Sequence, residues 1–195
     1  MQIVHYPHPA LRWKSKPIVA IDAALRNVVD EMFKLMYSTK GIGLAANQVA
    51  LPYRLFVVNV TGESDEKDQE FVFINPEIVR KKGSEEGEEG CLSIPDLYLP
   101  VRRAEQIVVR AFDLTGEEFE MKLDELPARV IQHEYDHLDG VLFTDRVSNE
   151  AKLEAAPVLA DFEARFRKAQ SALEIPPDAE LKRRLEELEP RQKTA

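Results

Sequence analysis

Residues 124–140 read DELPARVIQHEYDHLDG, and the rest of the chain is organised around this stretch. Asp124 can open a helix here. Pro127 is tolerated because it falls in the first turn, where backbone N–H groups lack helical partners. Leu126, Val130, His133, Glu134 and His137 then share one broad face, and Gly140 can end the helix. His133 and His137 stand about one turn apart, a spacing that lets two imidazoles grip one divalent metal. Glu134 lies roughly 100° around the helix from His133, near enough to act on a water at the metal without being a ligand. A four-coordinate catalytic metal needs a third protein ligand and one open position. Cys91, the one cysteine of the chain, is the candidate. Each signal has a plainer alternative. Histidines in HExxH can be hydrogen-bonded core or surface residues, and a lone cysteine is commonly a small buried hydrophobe.

Nearer the N-terminus, Asp22 can cap another helix. Leu25, Val28, Val29, Met32, Phe33 and Met36 recur at helical spacing and predict a helix over 22–38, broken by Gly41 and Gly43. RLFVVNV (54–60) and FVFINPEIV (71–79) read as strands, separated by the acidic loop TGESDEKDQE. RKKGSEEGEEG (80–90) switches charge sign midway and reads as a turn or hairpin leading into Cys91. Residues 105–112 and 117–122 flank Asp113-Leu114-Thr115-Gly116, a hairpin-type turn. A further helical pattern runs from Asn149 to about Ser171. Ile175-Pro176-Pro177 breaks it, and 178–189 is a short charged helix or a tail. The expected fold class is α+β: mostly antiparallel strands packed around a central HExxH helix, with helices near both ends.

The 195 residues carry a formal net charge of −9 and fit one domain with an appended helix. A domain of this length buries roughly 70% of its unfolded surface and needs no disulfide. A single cysteine rules out an internal disulfide and fits a reducing compartment. The acidic balance argues against broad nucleic-acid binding. MQIVHYPHPALRWKS has neither a basic-then-apolar leader nor an Arg/Ser-rich transit pattern. No apolar run approaches the roughly 20 residues of a membrane span. The expectation is a cytoplasmic protein with no membrane association and no direct DNA binding.

Two more segments precede His133-Glu134-Tyr135-Asp136-His137 in order: Gly41-Ile42-Gly43-Leu44-Ala45-Ala46-Asn47-Gln48 and Glu89-Gly90-Cys91-Leu92-Ser93. The first is a poor phosphate loop, because no Lys-Ser/Thr follows; its small residues instead let a substrate backbone approach closely. Together the three segments resemble the signature motifs of the peptide deformylase family, over roughly residues 3–145. The resemblance implies a metal-dependent hydrolase that removes the formyl group from the N-terminal formylmethionine of newly synthesised polypeptides and releases formate. It implies one divalent ion per chain, held by Cys91, His133 and His137, with Fe2+ as the native ion and Zn2+, Ni2+ or Co2+ as replacements. Glu134 then serves as general base and afterwards general acid, while the Gln48 side chain and the Leu92 backbone N–H stabilise an oxyanion. Ile42, Gly43, Gly90, Leu126 and Val130 are expected at the substrate site. Tyr98 is placed with them, where some family members carry an arginine, which argues against a charged peptide anchor. Gly87 stands where others have a bulkier wall. On this reading residues 1–148 are the catalytic domain and 149–195 a C-terminal helical extension and charged tail.

Glu89 has two readings of equal weight: it orients a ligand, or it belongs to an exposed acidic run. Tyr135 and Asp136 read as structural, and His5 and His8 as turn residues. Small basic clusters in the tail (Arg165, Arg167, Lys168; Lys182, Arg183, Arg184) read as a ribosome contact or, preferably, as a solvated face. Two other functions compete. A zincin-type peptidase would draw a third ligand from downstream, where Glu150 or Glu154 would have to serve because no histidine follows His137. A non-catalytic binder of nascent chains is the other, against which the intact Cys91, Gln48 and Glu134 argue.

Overall fold

The computed structural model describes residues 1–190. Four α-helices and seven strands form an α+β fold: α1 (Ala23–Ser38), β1 (Gly43–Ala45), β2 (Leu55–Val58), β3 (Phe71–Lys82), β4 (Glu85–Cys91), β5 (Ile94–Arg103), β6 (Gln106–Phe112), β7 (Glu118–Asp124), α2 (Glu125–Leu138), α3 (Asn149–Ser171) and α4 (Asp178–Leu188). Five strands make an antiparallel sheet in the order β1-β2-β3-β6-β7, and β4-β5 form a separate antiparallel pair.

The unbroken apolar run of β2 follows from its position. Leu55 and Val57 pack with Leu25, Val29, Met32, Phe33 and Met36 of α1. Phe56 and Val58 point the other way, into a cluster with Ala128, Val130, Ile131 and Leu138 of α2. A strand buried on both faces shows no polar alternation. Each α1 side chain so buried contributes about 1.5–3 kcal/mol relative to exposure. Asp22 caps α1 as expected, its side chain accepting the Leu25 N–H at 2.9 Å.

The helix α2 starts after Asp124 and ends where Gly140 turns the chain. Gly140 has φ +71°, and a Cβ there would lie 2.6 Å from the Arg12 carbonyl oxygen. Gly140→Ala is therefore expected to cost about 1–3 kcal/mol from backbone strain alone, with the backbone clash added. Urea unfolding checks this, and a loss under about 0.5 kcal/mol would mean that the turn relaxes freely.

The largest departure from the sequence reading lies at 80–103. Residues 80–82 continue β3, the turn is confined to Gly83 and Ser84, and 85–91 form β4. The partner strand β5 was not anticipated, although Leu97, Leu99 and Val101 alternate with outward residues. Pro95 and Pro100 interrupt it, and its inward row of Leu97, Leu99 and Val101 ends in the charged Arg103. The inward positions of β4 are Gly87, Glu89 and Cys91, again not an apolar stripe. The three-residue β1 was also not anticipated.

At the C-terminal end α3 and α4 take the expected bounds. Ala151, Ala155 and Phe162 of α3 pack in one cluster with Cys91, Leu97, Leu99 and Val101. Leu181 and Leu185 of α4 are buried, α4 contacts the short 3-10 helix Pro9–Arg12, and Trp13 Nε1 donates to Glu189 at 3.1 Å. The end of the expected tail, 191–195, lies outside the described residues.

Candidate active site

Two elements supply the metal-capable group. Cys91 closes β4 and pairs with Ile94, so Leu92 and Ser93 form the tip of the β4-β5 hairpin. His133 and His137 project from α2 with ring centroids 5.0 Å apart. One donor atom from each of Cys91, His133 and His137 lies within 4.8 Å of the others, and Cys91 Sγ stands 3.4 Å from His137 Nε2. Ligands placed 2.0–2.3 Å from a tetrahedral ion stand about 3.3–3.7 Å apart, and the Cys91–His137 separation falls in that range. All three residues are buried. This is the one such grouping found among the described residues; neither Glu150 nor Glu154 joins it, which removes the structural basis of the zincin alternative.

Glu134 lies between the two histidines in sequence and is buried, with 4% of its surface exposed. Burial pushes its carboxyl up to about 7. Among the described residues two buried side-chain atoms lack a hydrogen-bond partner, Glu134 Oε2 and His137 Nδ1, and both belong to this site. The glutamate rests against β1: a Cβ on Gly43 would come within 2.5 Å of its Oε1. Gly43 is thus demanded by Glu134, in addition to any approach by substrate. Gly41 makes similar room for Leu92, whose Cδ1 would lie 2.7 Å from an added Cβ.

Gln48 is buried and fixed at both ends. Its Oε1 accepts the Ala45 N–H at 2.9 Å, and its Nε2 donates to Cys91 Sγ at 3.4 Å and Ser93 Oγ at 3.3 Å. The amide hydrogens are therefore held at the metal edge of the site.

Glu89 is buried, which decides between its two readings. It accepts from Arg103 Nε and Nη2, both at 2.9 Å, and from Arg129 Nη1 at 2.9 Å, and its Oε2 stands 3.0 Å from His133 Nδ1. Burial would raise the Glu89 carboxyl, but the bonds from Arg103 and His133 outweigh it and bring it to about 2. His133 lies between Glu89 and Cys91. Burial disfavours charge on its ring, but these two neighbours outweigh it and hold the ring well above the usual histidine value. Asp136 accepts from Arg103 Nη1 and from Arg146 at 2.7 and 3.1 Å, which makes it structural, as read. Tyr135 lies under the Arg54 guanidinium. His8 Nδ1 accepts the Ala10 N–H and is a turn residue. Arg103 and Arg129 carry no local sequence signal and were missed, and Ser93 was read only as part of the Glu89–Ser93 segment, with no role.

A cleft of about 800 Å³ opens onto this group. Ile42, Gly43, Gln48, Gly90, Cys91, Leu92, Tyr98, Leu126, Val130, His133 and Glu134 all border it, whereas His137 lies behind. Tyr98 is 63% exposed, and its ring covers Gly90, where a Cβ would meet it at 2.6 Å. Arg129 also borders the cleft, but its guanidinium is committed to Glu89 and to backbone carbonyls.

The sequence profile of the polypeptide deformylase family matches residues 1–153. The chain belongs to this family. A peptide deformylase from Rhodopirellula baltica is 47% identical over 181 residues, covering 93% of this chain and 90% of the relative. Among solved structures, peptide deformylase from Plasmodium falciparum superposes with TM-score 0.83 at 36% identity, covering 86% of this chain and 98% of that one. Arabidopsis thaliana peptide deformylase 1B, solved with an inhibitor, gives TM-score 0.82 at 44% identity over 90% of this chain and 96% of that one. As a deformylase the chain is a metal-dependent hydrolase that removes the N-formyl group from the N-terminal formylmethionine of newly synthesised polypeptides, releasing formate. None of the described helices is long and apolar enough to cross a membrane.

Proposed function

We propose that Cys91, His133 and His137 hold the metal, and that Glu134, Gln48 and the Leu92 backbone carry the deformylation. The observation that carries this reading is the unpartnered, buried Glu134 Oε2 beside a Cys-His-His donor group. A bound divalent ion supplies Lewis acidity, polarising the carbonyl and acidifying water. Glu134 takes a proton from the water that adds to the formyl carbon. It returns that proton to the nitrogen as the C–N bond breaks, leaving formate and a free amine. Gln48 Nε2, turning one hydrogen away from its long bonds to Cys91 or Ser93, and the Leu92 N–H donate to the oxygen on which charge builds. Ile42, Gly43, Gly90, Leu126 and Val130 wall the methionine and its backbone, and Tyr98 lies at the rim.

The finer assignments share this footing. Family resemblance favours Fe2+ as the native ion, and a thiolate-imidazole set also suits Zn2+, Ni2+ or Co2+ as replacements. A cytoplasmic location fits a thiol that must stay reduced to bind metal. The helix α2 is read as the central element, in keeping with its contacts to β1, β2, β6 and β7. Residues 1–148 are read as the catalytic domain and 149–195 as a C-terminal helical extension and charged tail, in keeping with the packing of α3 on Leu97, Leu99 and Val101. Of the tail's basic residues, Arg165, Arg167, Arg183 and Arg184 pair with Asp161, Asp178, Glu187 and Glu180. That pairing favours a solvated face over a ribosome contact.

Anaerobic metal analysis paired with formate release from formyl-Met-Ala-Ser tests the reading. Metal retained after Cys91→Ser would overturn the ligand set. Gln48→Leu is expected to lower kcat about 10²–10³-fold with metal content kept. The same change strips the buried Ala45 N–H of its acceptor and should cost about 1–3 kcal/mol of stability. Kinetics at saturating metal and urea unfolding separate the two effects, and a change confined to KM would reassign Gln48 to ground-state binding.

A further inference from the structure

We propose that Arg129 is a positioning residue for the metal ligands, and that Gly87 provides its seat. The inference rests on Cys91, His133 and His137 being those ligands. They come from two separate elements, the β4-β5 hairpin and α2, so their mutual geometry depends on what ties hairpin to helix. Arg129 leaves α2 one turn before His133 and crosses to the hairpin. Its Nη1 donates to Glu89 Oε1 at 2.9 Å, to the Val101 carbonyl at 2.9 Å and to the Gly87 carbonyl at 3.4 Å, and its Nη2 donates to the Glu85 carbonyl at 3.3 Å. One planar group therefore grips both strands and a carboxylate. The other oxygen of that carboxylate, Glu89 Oε2, meets His133 Nδ1 at 3.0 Å. Arg103 holds both oxygens of this carboxylate, and the Arg129 bond to Oε1 adds a tie from it to α2 itself, the helix that carries the His133 ring it orients. Partners of this kind behind a metal ligand commonly govern metal affinity.

The guanidinium lies where a side chain on Gly87 would be. A Cβ there would stand 2.8 Å from both Cζ and Nη2 of Arg129. Gly87 does not itself border the cleft but Arg129 does, so metal affinity and not turnover is the readout for a methyl group added there. The guanidinium is the movable end of a long side chain; it shifts and its four bonds loosen, while the strand stays.

The test uses the full chain, stripped of metal and titrated anaerobically with Co2+. It records Kd, the thiolate-to-cobalt absorption band and the urea stability of the metal-free protein. Arg129→Met is expected to weaken Co2+ binding about 10–100-fold and to move the band. Arg129→Lys, which keeps the charge but not the fork, should recover part of the affinity. Gly87→Ala should weaken binding by a smaller factor and should have no added effect in an Arg129→Ala background, where the colliding atoms are gone. Kd within about twofold of the parent for both Arg129→Met and Gly87→Ala, with stability alone altered, would overturn the proposal. Additive effects of Gly87→Ala and Arg129→Ala would overturn the seat. Failure of the parent to bind Co2+ would instead remove the ligand assignment, and this inference with it.

Discussion

Glu134→Gln is expected to retain its metal and lose about 10²–10⁴-fold in kcat. Glutamine has the same shape, and the space that Gly43 leaves beside the carboxylate will accept it. What it lacks is a basic oxygen: an amide cannot take the proton of the attacking water or hand it to the departing nitrogen. Glu134 is not among the three grouped donors, so metal content should stay near one ion per chain. The metal-free variant should also be more stable than the parent, because a buried carboxylate with one unpartnered oxygen has been replaced by a neutral group. That exchange of stability for activity is what a working acid–base residue produces. Formate release at saturating metal, metal analysis and urea unfolding together decide it. Activity within about twofold of the parent would remove Glu134 from proton transfer.

The second large effect concerns stability. Arg103→Met is expected to destabilise the protein by about 3–5 kcal/mol, a large part of the roughly 5–15 kcal/mol available to a domain. The Arg103 and Glu89 side chains are each only 5% exposed. Arg103 grips Glu89 through Nε and Nη2 while Nη1 reaches Asp136. Removing it leaves two buried carboxylates short of their shared cation, and methionine fills the volume without answering the charge. Arg103→Lys should recover little, since one ammonium cannot reproduce three bonds in a fork. Added salt should not rescue either variant, because buried pairs are screened far less than exposed ones. A loss below about 1 kcal/mol, the range of an exposed pair, would show that the chain tolerates this opening.

Both substitutions act where the sequence was read with different success. HExxH on a helix, with Cys91 upstream, was legible because α-helical spacing is local: residues four apart face the same way whatever surrounds them. The cap at Asp22, the stop at Gly140 and the hairpin turn at Asp113–Gly116 were legible for the same reason. The β4-β5 hairpin was not. Its inward row includes Gly87, Glu89 and Arg103, whose burial is not evident until Arg129 and Asp136 of a remote helix are placed against them. Glu89 could not be assigned from its neighbours at all, since an exposed glutamate in an acidic run and a buried one look alike in sequence.

By itself, then, the sequence determined the Cys91, His133 and His137 grouping, the glutamate proposed for proton transfer, most of the helices and the family, all of which depend on residue identity and short-range periodicity. The tertiary structure decided what stands opposite each residue: Glu134 against Gly43, Arg129 against Gly87, Tyr98 over Gly90, and Glu89 between two arginines and His133. The physical reason is one of range. Backbone geometry fixes spacing within a turn or two. Whether a charge is buried, paired or free depends on desolvation balanced against partners brought in from tens of residues away.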